Sequence, residues 1–257
     1  MGNVIAIGLL RQLSGDGVRV VAVLATEALF EAYLDEGGTH ADAPILSVAG
    51  YFGLHEQWLE FLTHWPHAEF HASKDRYDYL KPSLADAIDA AALFGTETCI
   101  RPDVFKAVAG PGIKAHLGNA YAVAAFLCAA AICGKAQQIV SNARISFVLE
   151  DGQPNIEWVR RLLIMMMAEY PIASVTVAKK TDFPHLHPAD FLAHTRATTD
   201  KRWLDRLFAK ALVNEIPIDG NALAQAAAKV SAFMKRYRNQ KAKERKEKRK
   251  QRKGGSA

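Results

Sequence analysis

Apolar and polar positions follow two periods along this chain, and the switch between them marks its elements. Residues 29–34 and 45–52 are dense in apolar side chains and read as strands; Pro44 precedes the second and Gly53 follows it. Over 55–65, Trp58, Leu59, Leu62 and Trp65 fall at helical spacing, and Pro66 ends the run. Residues 68–73 read as short and extended. Residues 83–94 read as a helix with Ser83 as N-cap and Asp86 at the capping-box position, followed by a brief strand over 96–100. The segment 119–133 is nearly all apolar between Gly118 and Gly134. Its length suits a helix buried against a sheet; a membrane span needs about 20 apolar residues.

The second half alternates strictly. Residues 144–149 read as a strand, 156–170 as a helix stopped by Pro171, and 174–178 as a Val- and Thr-rich strand. Pro188 then suits the first turn of a helix carrying Asp190. Helices over 201–212 and from 221 into the tail complete the order, which predicts an α/β layer architecture. Ahead of it, apolar runs at 4–7 and 18–24 flank Ser14-Gly15-Asp16-Gly17, which fits either a hairpin or a loosely attached extension. Met1-Gly2-Asn3 lacks the basic residues of a secretory signal. Residues 1–28 are therefore set apart from a domain over 29–220 and a helical tail over 221–257.

Composition adds a class and charge adds a partner. A chain of 257 residues that is 50% hydrophobic closes a core, so wholesale disorder is excluded. Cys99, Cys128 and Cys133 are too few for a disulfide framework and read as reduced thiols of a cytoplasmic protein. The net charge of +5 is unevenly spread. Residues 235–253 hold 12 basic residues and two acids, +10 in all, so the remainder carries −5. A basic run of this kind, including Lys235, Arg236 and Arg238, attracts nucleic acid, DNA or RNA, through phosphate contacts and counterion release. The same run also serves as a solubilising end.

Acids recur at one structural address. Asp35 and Glu36 end one predicted strand, Glu150 and Asp151 end another, and Asp190 lies in the first turn of a late helix. Strand ends and helix starts favour acids individually, because both are solvated. If the two strands are neighbours, however, three carboxylates converge and repel, and they must share protons or bind a cation. Oxygen ligands suit Mg²⁺ or Mn²⁺ rather than Zn²⁺. Paired ions about 4 Å apart serve in-line phosphodiester hydrolysis. Alternation puts Phe147, Leu149 and Asp151 on one strand face, and Ser146, Val148 and Glu150 on the other, so which acid points inward stays open.

Short motifs at these acids resemble a widespread bacterial family, the domain of unknown function numbered 3800. Ala32-Tyr33-Leu34-Asp35-Glu36-Gly37-Gly38 resembles its "DESG" opening, and Ser47-Val48-Ala49-Gly50-Tyr51 the strand after it. Phe70-His71-Ala72 resembles its "FHA" segment, Ser146 to Gly152 its central strand ending in an acid, and Ala189-Asp190-Phe191-Leu192-Ala193 its "LQxADxxA" helix start. The likeness covers roughly residues 29–200. That family is similar to ribonuclease H-like proteins. The resemblance implies an α/β, ribonuclease H-like mixed sheet flanked by helices, with a helical segment inserted near 54–95 and a basic helical tail. It also implies a divalent-metal site at Asp35, Glu150 or Asp151, and Asp190, favours Glu150 of the middle pair, and raises His71 to a substrate contact. Two positions depart from the pattern: Gly37 replaces the usual serine, and His187 the glutamine, where a histidine could ligate metal or hold phosphate. Lys74 and Arg76 could also meet phosphate, or simply line a solvated loop.

The leading expectation is a metal-dependent nuclease with Asp35, Glu36, Glu150, Asp151 and Asp190 as its acids, and no membrane partner. A catalytically silent nucleic-acid-binding module of the same fold, and a metal-dependent hydrolase of small phosphorylated molecules, fit the same residues.

Overall fold

In the computed structural model, the structure describes residues 11–14, 17–20, 27–38, 44–108, 120–152, 156–209, 212–216, 218 and 220–254. A two-stranded antiparallel pair comes first, β1 (Arg11–Ser14) against β2 (Gly17–Val20). The expected apolar run at 4–7 lies outside the described residues.

The main sheet is built from β3 (Ala28–Gly37), β4 (Leu46–Leu54), β5 (Phe94–Ile100), β6 (Ala143–Glu150), β7 (Ile172–Ala178) and β8 (Val213–Ile216), in the spatial order β7-β6-β3-β4-β5-β8. β3, β4 and β5 form an antiparallel meander, and β6 and β7 join the other side of β3 in parallel. The sheet is thus mixed, as expected, with β8 added parallel to β5 at the edge. Between β4 and β5 sits the anticipated insertion: α1 (His55–His64), a 3₁₀ segment (Asp75–Leu80) and α2 (Lys81–Ala91). The remaining helices are α3 (Pro102–Val108), α4 (Ala120–Ile139), α5 (Ile156–Met166), α6 (His187–Ala197), α7 (Lys201–Phe208) and α8 (Gly220–Gly254).

The period of two in the strands sorts the core into two layers. Phe30, Ala32 and Leu34 of β3, with Ile145, Phe147 and Leu149 of β6, face α4, α5 and α8. Tyr33 of β3 and Ala49 and Tyr51 of β4 face α1, α2, α6 and α7. α4 is long and apolar enough to cross a membrane by composition, but Val123, Ala124, Cys128, Ala129 and Ile132 are buried in the first layer. α8 enters that layer too: Leu223, Ala226, Ala227, Val230 and Phe233 recur at helical spacing and are buried. Its basic half continues the same helix to Gly254.

Several element boundaries differ from the sequence expectation. Ser83 does not cap α2; the 3₁₀ segment runs straight into the helix, Leu80 takes the cap position and Pro82 occupies the first turn, where its fixed φ suits a start. α2 ends at Ala91, with Ala92 left-handed (φ 51°), which frees Phe94 for β5. Gly134 does not stop α4, because burial of its neighbours Cys133 and Ala136 outweighs one unfavourable residue. α5 ends at Met166 and α7 at Phe208, earlier than the apolar patterns imply.

Candidate carboxylate site

The strand register assembles the site. Leu34 pairs with Leu149, so Asp35 and Glu150 stand side by side one step beyond, at the carboxyl ends of parallel strands. In α/β sheets such ends are where ligands bind. Asp35 follows Tyr33 onto the α6 face, and Glu150 follows Val148 onto the same face. Asp151 takes the other direction; it is exposed, and its Oδ1 accepts the Gly152 N–H at 2.8 Å. The sequence left Glu150 and Asp151 open; of the two, Glu150 enters the cluster.

α6 supplies Asp190 from its first turn, where a carboxylate also suits the helix dipole. The helix lies on the backbone of β3: a Cβ added to Gly37 would meet the Ala193 carbonyl oxygen at 2.5 Å. Its far end is tied to the sheet by Arg196, which pairs with buried Glu97 of β5 and, at 2.8 Å, with Glu215 of β8. Burial first, against the pull of Arg196, raises Glu97 to about 7.

The segment 70–72 completes the frame. Phe70 packs among the rings of Trp65, His187 and Phe191. This anchors the turn whose Ala72 N–H donates to Asp190 Oδ2 at 2.7 Å, and places His71 Nδ1 3.8 Å from the same oxygen. His187 is fully buried; its Nδ1 accepts the Trp65 indole N–H at 2.8 Å, and burial holds its pKa down to about 3. The ring is therefore neutral and carries its hydrogen on Nε2, which has no partner among the described residues. A protonated Nε2 donates to an anion; it does not ligate a metal.

Sequence reading missed the residue at the centre. Lys180 lies two residues beyond Ala178, the register partner of Glu150. Its Nζ is 2.8 Å from Asp35 Oδ2, 3.1 Å from Glu150 Oε1 and 3.1 Å from Asp190 Oδ1. Burial opposes its charge, but the three carboxylates prevail and hold it protonated above the ordinary lysine range. The set expected to hold metal, Asp35, Glu150 and Asp190, is thus the set that converges on this ammonium.

A second grouping includes Glu36. One ligand oxygen each from Asp35, Glu36 and Glu150 lies within 4.8 Å of the others. Glu36 is 8% exposed, and neither of its oxygens makes a hydrogen bond of good geometry among the described residues. Burial first, then Glu150, raises its pKa to about 8; the Tyr121 phenol beside it favours the charged form. Burial likewise pushes Asp35 well above the carboxylate range, while its hydrogen bond to Glu150 and the Lys180 charge overcome burial and lower Glu150. An all-oxygen cluster in which two carboxyls, Asp35 and Glu36, are pushed toward their protonated forms is chemically suited to a hard divalent ion.

Beside the carboxylates lies a cavity of about 400 Å³, lined among others by Glu150, Lys180, His71, His187, Lys74 and Lys179. Lys235, Arg236 and Arg238 lie apart on α8, which packs chiefly against α3, α4 and α5; Arg236 pairs with Glu169 at 2.9 Å.

No family model matches the chain, and no curated protein is similar to it in sequence. Among solved structures, it is similar to a chain of the PCNA:RNase HII complex from Archaeoglobus fulgidus, at 17% identity and a TM-score of 0.43, over 70% of this chain and 78% of that one.

Proposed function

We propose that this chain is a divalent-metal-dependent nuclease. The observation that carries the reading is the convergence of Asp35, Glu36 and Glu150 at adjacent strand ends, with Glu36 buried and in no ion pair among the described residues. These three residues would hold a Mg²⁺ or Mn²⁺ ion, which supplies Lewis acidity toward a phosphodiester. The chain's own groups do the rest. Lys180 places a fixed positive charge beside the carboxylates, Asp190 orients that lysine, and the Ala72 N–H orients Asp190. His71 and, behind it in the wall, buried His187 line the cavity where the phosphate would sit. Lys74 and Lys179 attract the polyanion at the rim, and the basic half of α8, with Lys235, Arg236 and Arg238, adds long-range attraction.

The test is cleavage of labelled single-stranded, double-stranded and hybrid nucleic acids with Mg²⁺ or Mn²⁺. Asp35→Asn and Glu150→Gln should each abolish cleavage in a folded chain. Full activity in either variant would overturn the assignment.

One observation favours a second reading, a silent binding module of the same fold: Lys180 already neutralises part of the acidic centre. Under that reading, binding survives chelation and no substrate is cut.

A further inference from the structure

We propose that Lys180 permanently fills one of two adjacent cation places, so that the site takes a single divalent ion. The inference rests on the metal-dependent reading above and specifies its stoichiometry.

The oxygens divide into two sets that share Asp35 and Glu150. One set adds Asp190 and closes on Lys180 Nζ at 2.8–3.1 Å. The other adds Glu36, which is buried and makes no ion pair among the described residues. Both oxygens of Asp190 are already engaged, Oδ1 with Lys180 and Oδ2 with the Ala72 N–H. Lys180 is itself held in place, with its side chain only 9% exposed and β7 ending two residues before it. An ammonium at three carboxylates occupies the volume and satisfies the charge that a second ion would need, whereas the Glu36 set keeps its demand for a cation. The arrangement is therefore a mixed pair, one ion drawn from solution and one charge supplied by the chain.

The experiment is Mn²⁺ titration of the full chain without nucleic acid, read by calorimetry and by electron paramagnetic resonance at saturating Mn²⁺. The wild type should bind one equivalent with the six-line spectrum of an isolated ion, and Asp35→Asn should lose it. Lys180→Met should bind two equivalents and give an exchange-coupled spectrum. Two coupled ions in the wild type, or one ion in a folded Lys180→Met, overturns the proposal while leaving the nuclease reading standing. No ion in either chain overturns the nuclease reading itself. Should Lys180→Met fail to fold, the wild-type count and spectrum still decide the proposal.

Discussion

A Cβ on Gly37 would sit 2.5 Å from the carbonyl oxygen of Ala193, so α6 rests on the bare backbone of β3. That contact sets how close Asp190 comes to Asp35. Gly37→Ala should force the helix outward and cost about 1–3 kcal/mol, as overpacking does. A lower midpoint in thermal unfolding, together with weaker Mn²⁺ binding, is the expected result. An unchanged midpoint would mean that α6 is free to shift.

Glu36 gives the metal-free protein a pH dependence of defined sign. Its folded pKa is about 8, above the unfolded value near ~4.3. A raised carboxyl contributes stability fully below the unfolded pKa, and loses it as pH rises through the folded one. The metal-free chain should therefore weaken between about pH 4.5 and pH 8. Glu36→Gln should flatten this decline, leaving the variant more stable than wild type at pH 8. Denaturant melts at pH 5 and pH 8 with chelator measure it; parallel curves would refute it.

His187 acts in the opposite sense. Its folded pKa of about 3 lies below the unfolded value of ~6.5, so its contribution is complete above ~6.5 and is lost as pH falls toward 3. His187→Gln keeps an acceptor for Trp65 and removes the titration. It should show less acid destabilisation between pH 6.5 and pH 4 in fluorescence-monitored melts.

Arg196 neutralises a glutamate with no exposed surface. Arg196→Ala strands Glu97, and breaking such a pair costs about 3–5 kcal/mol. The loss should be larger at pH 8.5 than at pH 5.5, where Glu97 takes up a proton. Stability curves at the two pH values give the comparison.

Two truncations separate the halves of α8. Ending the chain after Tyr237 keeps Val230 and Phe233 in the core and should leave the melting midpoint nearly unchanged. It should weaken nucleic-acid binding and reduce the slope of log affinity against log salt. Ending it after Gly220 exposes the apolar layer and should prevent folding.

How far these features were legible depends on whether their signal is local. The period of two from Phe147 to Asp151 separates the faces of β6 without saying which face the site uses, and Pro188 marks the start of α6, so the address of Asp190 could be read directly and that of the middle acid only as a choice between Glu150 and Asp151. Lys180 could not. A lone lysine after a Val-rich strand has no motif, and its meaning comes from the pairing of Ala178 with Glu150, a contact between distant segments. β8 is four residues at a sheet edge, and α3 is seven residues long, too short for either period to register. Glu36 was visible as an acid, but its grouping with Asp35 and Glu150 depends on how the strand ends meet.

Because Phe233 and the residues beyond it belong to one unbroken helix, the basic half of α8 is an arm with a heading rather than a loose tether. From Phe233 to Gly254 it extends about 30 Å at ~1.5 Å per residue. A polyanion lying along it would inherit that heading from the packing of Val230 and Phe233. Core substitutions there would then change the direction of approach while leaving the number of charges untouched.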